Sequence, residues 1–434
     1  MTNPAHTLLK HPLLTTLGGM LPAFPATGQL CLVGGAVRDA QLGRPVSDFD
    51  FASPEDPTPL ARALAGQLAG HWFWLDAPRR QSRVVAGPRT CDFAPWRAAT
   101  LAGDLAARDF TINAVALDLA GAGALIDPLG GCGDLAQGIL RVAGTGVLEQ
   151  DPLRILKGIR HVAELGLHIE SATLSAMQAQ APRLSQVAPE RLRLEVWRLL
   201  VAPQAVPALH ALAGSGAGPV LFGPGFATGL PSWLAAQPAA QQFLAGLVET
   251  SPHHVALLTE AVEQGLDRQT LLLWHHGLRH LGQELPLSLA RAWRFSRGSI
   301  QRLAALACIT PGLWDELLEL PPRPRVIAQW ARQYGPDPID LLVALALQSP
   351  EDTATASDRL CGWLELLAGC EHLHQLPALL DSAWLTSNFA LQGPALGAAL
   401  AELRRAEIRG ELENAADARR FAHQHFSAKK IDNH

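Results

Sequence analysis

The run LVGGAVRDAQLGRPVSDFDFA, Leu32 to Ala52, limits what this chain can fold into more than any other stretch. A short apolar strand, LCLV, meets Gly34 and Gly35, then a helix, AVRDAQL, then a second strand, SDFDFA. Residues two apart on a strand share a face, so Asp48 and Asp50 project together while Phe49 and Phe51 face a core. Two carboxylates held this close repel unless a cation sits between them. Hard oxygen ligands of this kind suit Mg²⁺, which takes one or two protein carboxylates and fills its shell with phosphate oxygens and water. Glycine lets a phosphate approach the backbone at a helix N-terminus, and Arg38, one turn on, is placed to grip it. The stretch reads as a metal–triphosphate site. Each half has a plainer reading: Gly-Gly before a helix is also a tight turn, and DxD is also a pair of solvated acids. No GxxxxGK[ST] is present, so this is not a P-loop. The joint pattern is far more specific than either half.

The rest of the chain bounds the possibilities. Its 434 residues exceed one compact core, so two to four domains are expected. Hydrophobic residues at 48% and charged residues at 17% describe a folded protein. A net charge of −5 leaves any nucleic-acid contact to local basic patches. Cys31, Cys91, Cys132, Cys308, Cys361 and Cys370 form no CxxC pair, which speaks against zinc or disulfides and suits a reducing cytoplasm. No signal peptide or membrane span is expected. Lysine occurs only at Lys10, Lys157, Lys429 and Lys430, with arginine supplying the other cations.

Up to about Arg141 the pattern alternates short strands (LCLV, SDFDFA, HWFWL, SRVVA, RTCDFA) with helices such as TPLARALAGQLAG. From about Leu148 it becomes helical almost throughout. DPLRILKGIRHVAELG has Pro in the first turn and Gly at the stop, and PERLRLEVWRLL is amphipathic. The Ala-, Gly- and Pro-rich stretch from Ala202 to Pro238 reads as a loop or a boundary. The C-terminal GPALGAALAELRRAEIRGELENAADARRFA reads as two helices with a capping asparagine between them. The expected class is α+β: a mixed-sheet head followed by an all-α remainder.

With these residues in view, a family resemblance emerges. The Leu32–Ala52 run resembles the catalytic motif of class II tRNA nucleotidyltransferases and bacterial poly(A) polymerases, within the polymerase-β-like superfamily. LAARDFTINAVALDL is similar to that family's RRDFTINA motif, IDPLGGCGDLAQGILR to DPxxGxxDLxxxxLR, and EQDPLRILKGIRHVAELGL to EDPLRxLRxxRFAxxLGF. PERLRLEVWRLL and LQGPALGAALAELRRAEIRGEL are similar to the end of its neck and to its tail. The strong matches cover about residues 30–200. The resemblance implies a polymerase-β-like head over 1–141, a helical neck with the base-selecting helix over 142–200, a helical body over 201–345 and a tRNA-binding tail over 346–434.

It also implies residue roles. Asp48 and Asp50 would bind two Mg²⁺ ions, and Asp92 is either a third acid beside them or an ordinary strand-end acid. Gly34, Gly35, Arg38 and Arg108 would hold the triphosphate, and Asp109 would accept from the ribose 2′-OH. Asn113 reads as structural. Asp151, Arg154, Lys157 and Arg160 recur every three residues on one helix. An Asp–Arg pair there can read cytosine or adenine and reject G and U, in place of a template. Alternatively, Asp151 caps the helix and Arg154 pairs with it. Three positions depart from the family: Ala107 and Lys157 replace arginine, and Gln150 replaces glutamate.

One departure bears on specificity. Where the family carries a mobile loop that reorients the template pair from CTP to ATP, only PWRAATLAGDLAA separates Ala94 from Arg108. So short a connector has little reach as a lever. The expectation is therefore a CC-adding enzyme using CTP on the acceptor end of tRNA, with a separate A-adding enzyme acting on its product. Full CCA addition with CTP and ATP comes second. A poly(A) polymerase is third, since SAKKIDNH is too short for its basic extension, and a decayed tRNA-binding protein is the non-enzymatic rival. His275 and His276 lack the HD pair of a phosphohydrolase, so no metal is expected there. Arg404, Arg405, Arg409, Arg419 and Arg420 either meet tRNA phosphates or form a solvated helix face.

Overall fold

A computed structural model of the protein describes residues 8–27, 29–120, 123–310, 312–349, 351–368 and 378–426. Cys370, Lys429, Lys430 and the SAKKIDNH stretch lie outside the described residues. The contacts divide the chain into two compact units. The first runs to Glu195 and takes in Ala202–Leu221; the second comprises Val196–Val201 and the chain from Phe222 onward.

In the first unit, helix α1 (Pro12–Met20) precedes a sheet built as expected from five strands: β1 (Cys31–Val33), β2 (Asp48–Ser53), β3 (His71–Asp76), β4 (Gln81–Ala86) and β5 (Arg89–Pro95). Two further strands, β6 (Ala116–Asp118) and β7 (Leu125–Ile126), complete the order β3-β4-β5-β2-β1-β6-β7. At three and two residues they are too short to show a period in sequence. The sheet is mixed: β2 and β5 run parallel and the other neighbours antiparallel.

Alternation along β2 does what DFDF predicts. Phe49 and Phe51 are buried, Asp48 and Asp50 exposed. Phe51 stacks on Phe93 at 4.9 Å, and both join a core with Leu13, Leu17, Leu60 and Leu64 from α1 and helix α3 (Thr58–Gln67). Burying each such side chain contributes roughly 1.5–3 kcal/mol, so the apolar face fixes which way the acids point. Helix α2 (Gly35–Gln41) links β1 to β2, and helix α4 (Leu101–Ala106) follows β5.

Helix α5 (Leu153–Leu165) ends at Gly166, φ +69°, as its sequence predicts. PERLRLEVWRLL forms helix α6 (Pro189–Leu200). Two small pairings interrupt the helical half: Ile139–Leu140 with His168–Ile169, and Ala261–Glu263 with Leu266–Asp267.

The Ala202–Pro238 stretch is not a loop, but the division between the two units falls inside it, between Leu221 and Phe222. It is helical over Ala205–Gly214, Ala217–Phe222 and a helix from Gly225 to Thr250 that carries Pro231 and Pro238 inside it. Packing explains two of its glycines, while Gly216 and Gly223, at φ +73° and +80°, lie between the helices. A Cβ on Gly225 would lie 2.5 Å from the Leu281 carbonyl oxygen, and one on Gly229 would lie 2.2 Å from that of His280. Here glycine marks close backbone approach rather than a turn. Near the C-terminus, helices Gly393–Ile408 and Ala415–Phe426 flank Asn414, whose Oδ1 accepts from the N–H groups of Ala416 and Asp417. Among the described residues, no helix is long and apolar enough to cross a membrane.

Candidate active site

Motifs from four parts of the first unit converge on one recess of about 260 Å³. Gly34 and Gly35 come from the β1–α2 turn, and Asp50 from β2. Arg108, Asp109 and Asn113 follow α4, and Asp151, Arg154 and Lys157 lie at the start of α5. Gly34 sits at φ +78°, and a Cβ there would lie 3.3 Å from Asp50 Oδ2 and 3.6 Å from Arg108 Nη1. Glycine at this position supplies the backbone angle and leaves the space between acid and guanidinium open.

Asp50 opens to solvent at the recess, yet protein closes around it. Burial, then the charge of Asp92, push its carboxyl above the usual range, with Arg108 and Arg97 opposing. Asp92 faces Asp50 in parallel register, on the same side of the sheet. Both its oxygens are held by Arg83, at 2.6 and 2.7 Å. Asp48 accepts a hydrogen bond from Thr90 across the same strand pair. Hard carboxylates side by side, one destabilised by its neighbours, fit a divalent cation of the Mg²⁺ type. Among the described residues, no three His, Cys, Asp or Glu side chains converge as a metal cluster. Asp48 and Asp50 would therefore supply part of a shell that water and phosphate complete.

Behind the recess lies a buried polar network. Arg38, only 9% exposed, donates Nη1 to Asn113 Oδ1 at 2.7 Å and Nε to Asp39 at 2.8 Å. Asn113 Nδ2 donates to Asp109 Oδ1 at 3.1 Å and lies 3.2 Å from His161 Nε2. Burial holds the His161 imidazole below its ordinary value, so it is neutral near pH 7 and its Nε2 accepts from Asn113. Burial would raise the Asp109 carboxyl, but the buried His161 beside it and the Asn113 and Phe110 N–H donors together hold it low. Arg38 is thus a brace for Asn113 and Asp109 and does not line the recess.

Asp151 caps the start of α5, as one reading of the sequence expects, but Arg154 does not pair with it. Arg154 Nη1 donates to the carbonyls of Ala107 and Val147, at 3.2 and 3.3 Å. Asp151 Oδ2 accepts from Arg191 at 2.8 Å, and Oδ1 from the Leu153 N–H at 3.3 Å. The two are anchored separately, and both line the recess. Asp48, Asp92 and Arg160 do not. Arg160 is held by Glu195 at 2.8 Å and Glu164 at 2.6 Å. His275 and His276 are buried in helix Arg268–Leu278, where desolvation pushes their imidazoles down to about 3 and about 4.

Two residues escaped the sequence reading: Arg97 lines the recess and Asp104 is buried beside it. Asn113, expected to be structural, braces the recess and also lines it. Asp104 had one visible signal, its i,i+4 spacing to Arg108 ahead of the RDFTINA motif.

Comparison with known proteins agrees with this architecture. Residues 30–141 match the Poly A polymerase head domain, and residues 166–230 match the probable RNA and SrmB-binding site of polymerase A. A CC-adding tRNA nucleotidyltransferase of Geobacter sulfurreducens is 32% identical over 432 residues, covering 95% of this chain and 97% of the relative. An A-adding tRNA nucleotidyltransferase of Deinococcus radiodurans is 30% identical over 444 residues, covering 92% and 96%. The fold matches the Bacillus stearothermophilus CCA-adding enzyme crystallised with CTP, with a TM-score of 0.71, 23% identity, and coverage of 97% and 99%. A head of this topology, its motifs gathered at one recess, and relatives alike from end to end make the chain a nucleotidyltransferase, a member of the class II tRNA nucleotidyltransferase family.

Proposed function

We propose that this enzyme adds the two cytidines of the tRNA 3′ end from CTP, releasing pyrophosphate, and leaves the terminal adenosine to a separate enzyme. The observation that carries this reading is the connection between β5 and Arg108. It is short and pinned throughout. The Trp96 N–H bonds the Ser53 carbonyl at 2.8 Å, the Arg97 N–H bonds Asp104 at 3.0 Å, and Thr100 caps α4 through the Gly103 N–H at 3.1 Å. Leu101 and Leu105 are buried. A segment so anchored has no slack with which to turn Asp151 and Arg154 from one base to another. The name of the Geobacter relative supports the same specificity.

In this reading Asp48 and Asp50 would hold two Mg²⁺ ions, which would supply Lewis-acid activation of the RNA 3′-hydroxyl and charge neutralisation of the pyrophosphate. Gly34, Gly35 and Arg108 cradle the triphosphate. Asp109 has Oδ1 occupied by Asn113 and Phe110, while Oδ2 has no protein donor among the described residues and accepts from the ribose 2′-OH. Arg154 donates to the ring acceptors of cytosine, Asp151 accepts from its exocyclic amine, and Lys157 stands beside them. The helical segments from 142 onward serve as neck, body and tail, and recognise the acceptor arm by shape.

Full CCA addition is the second reading, because an Asp–Arg edge also suits adenine. One assay separates them: tRNA lacking its CCA end, labelled CTP and ATP, and product length on a gel. Growth stops after two residues under the first reading and after three under the second. Failure to add any C to tRNA lacking its CCA end, with a single A added to tRNA already ending in CC, excludes both.

A further inference from the structure

We propose that Arg97 is a further substrate-binding residue, its guanidinium taking a phosphate of the incoming nucleotide's triphosphate from a backbone position that buried Asp104 fixes. This rests on reading the recess as the nucleotide site.

Four cationic side chains line the recess: Arg97, Arg108, Arg154 and Lys157. Two of them are tied down. Arg108 is held by Asp104 at 2.9 and 3.2 Å, and Arg154 by two backbone carbonyls. The Arg97 guanidinium and the Lys157 ammonium have no hydrogen bond or ion pair among the described residues. The reason for Arg97 is local. Asp104, 1% exposed, is its natural counter-ion, but Oδ1 of Asp104 accepts from the Arg97 backbone N–H and Oδ2 from Arg108. The acid therefore sets where Arg97 projects and leaves the side chain unclaimed.

An unclaimed guanidinium among other cations calls for an anion. Arg97 stays open to solvent on the connector, yet the protein around it and the like charge of Arg108 pull its basicity down. Asp104 ties the Arg97 backbone and the Arg108 guanidinium together, and Arg108 Nη1 flanks Gly34 beside Asp50. Arg97 therefore stands with Arg108 at the Gly34–Asp50 end of the recess, where the triphosphate must lie if a cation at Asp50 is to bridge to it. A phosphodiester at the primer terminus offers the same chemistry as the triphosphate, and the experiment distinguishes the two.

The full-length protein is titrated with CTP and, separately, with cytidine, and KM is measured for tRNA lacking its CCA end. In Arg97→Ala the Kd for CTP should rise roughly 10- to 100-fold, the loss of one charge-assisted phosphate contact. Arg97→Lys should recover part of it. Cytidine binding and the KM for tRNA should hold within about twofold. An unchanged Kd for CTP with a raised KM for tRNA assigns the residue to the primer and overturns the proposal. An equal loss for cytidine and CTP makes the role structural and overturns it too. Wild-type protein that fails to bind CTP at all defeats the nucleotide-site reading instead. If thermal melting shows that Arg97→Ala does not fold, Arg97→Gln carries the same measurements.

Discussion

Arg38 Nη1 donates to Asn113 Oδ1 at 2.7 Å, across 75 residues of sequence. Through this bond the glycine-rich turn after β1 and the RDFTINA motif become one rigid body, with Asp109 held on the far side of Asn113. The arginine that the sequence offers as a phosphate ligand braces Asn113 from beside Gly35.

Asn113→Ala should therefore disturb both stability and substrate binding. It leaves Arg38 short of a partner in a nearly closed site, and an unsatisfied buried polar group costs about 1–3 kcal/mol. Urea unfolding should show a loss of that size, and CTP affinity should fall while tRNA affinity holds. A variant with wild-type stability and wild-type CTP binding removes the brace from the account.

Asp48→Ala and Asp50→Ala test the chemistry directly. Each should lower C incorporation on the order of a thousandfold or more, because cation-held phosphate and hydroxyl groups lose their ligand. Gel-shift affinity for tRNA should stay within about twofold, since neither acid is needed to hold RNA by shape. Near-normal incorporation by Asp50→Ala is the outcome that defeats the catalytic assignment.

Acid stability should report on Glu164. Burial alone would raise its carboxyl, but His161 3.5 Å away and the Arg160 guanidinium, bonded to both its oxygens, bring it down to about 2 from 4.5. A carboxyl depressed in the folded state adds stability above its unfolded value and loses it as pH falls through the folded one. Wild type should thus exceed Glu164→Gln in urea midpoint at pH 6. The gap should shrink between about 4.5 and about 2. A gap that does not change with pH contradicts the depressed carboxyl.

Gly229→Ala probes the second unit on its own. The added methyl would sit 2.2 Å from the His280 carbonyl oxygen, so the helix from Gly225 must shift. Overpacking of this kind costs typically about 1–3 kcal/mol. Thermal melting should fall accordingly, while CTP titration, which reads the recess of the first unit, should not change.

Local order was written plainly in the residues. The DFDF alternation put two acids on one face, Gly166 ended α5, and Asn414 capped the last described helix, because each outcome depends on neighbours a few positions away. Glycine and proline over Ala202–Pro238 fitted the division between units at Leu221 and Phe222 but not a loop, because the carbonyls that Gly225 and Gly229 must clear lie some fifty residues on, at Leu281 and His280.

What the sequence by itself determined, then, was which residue types stand together on each element. Only the tertiary structure decided which charges are engaged. Asp92 is taken by Arg83 nine residues back, Arg160 by Glu195 thirty-five residues on and Arg38 by Asn113, while Arg97 is left open. The physical reason is that a guanidinium's partner is set by distance in space, and chain folding brings together groups whose separation in sequence carries no period to read.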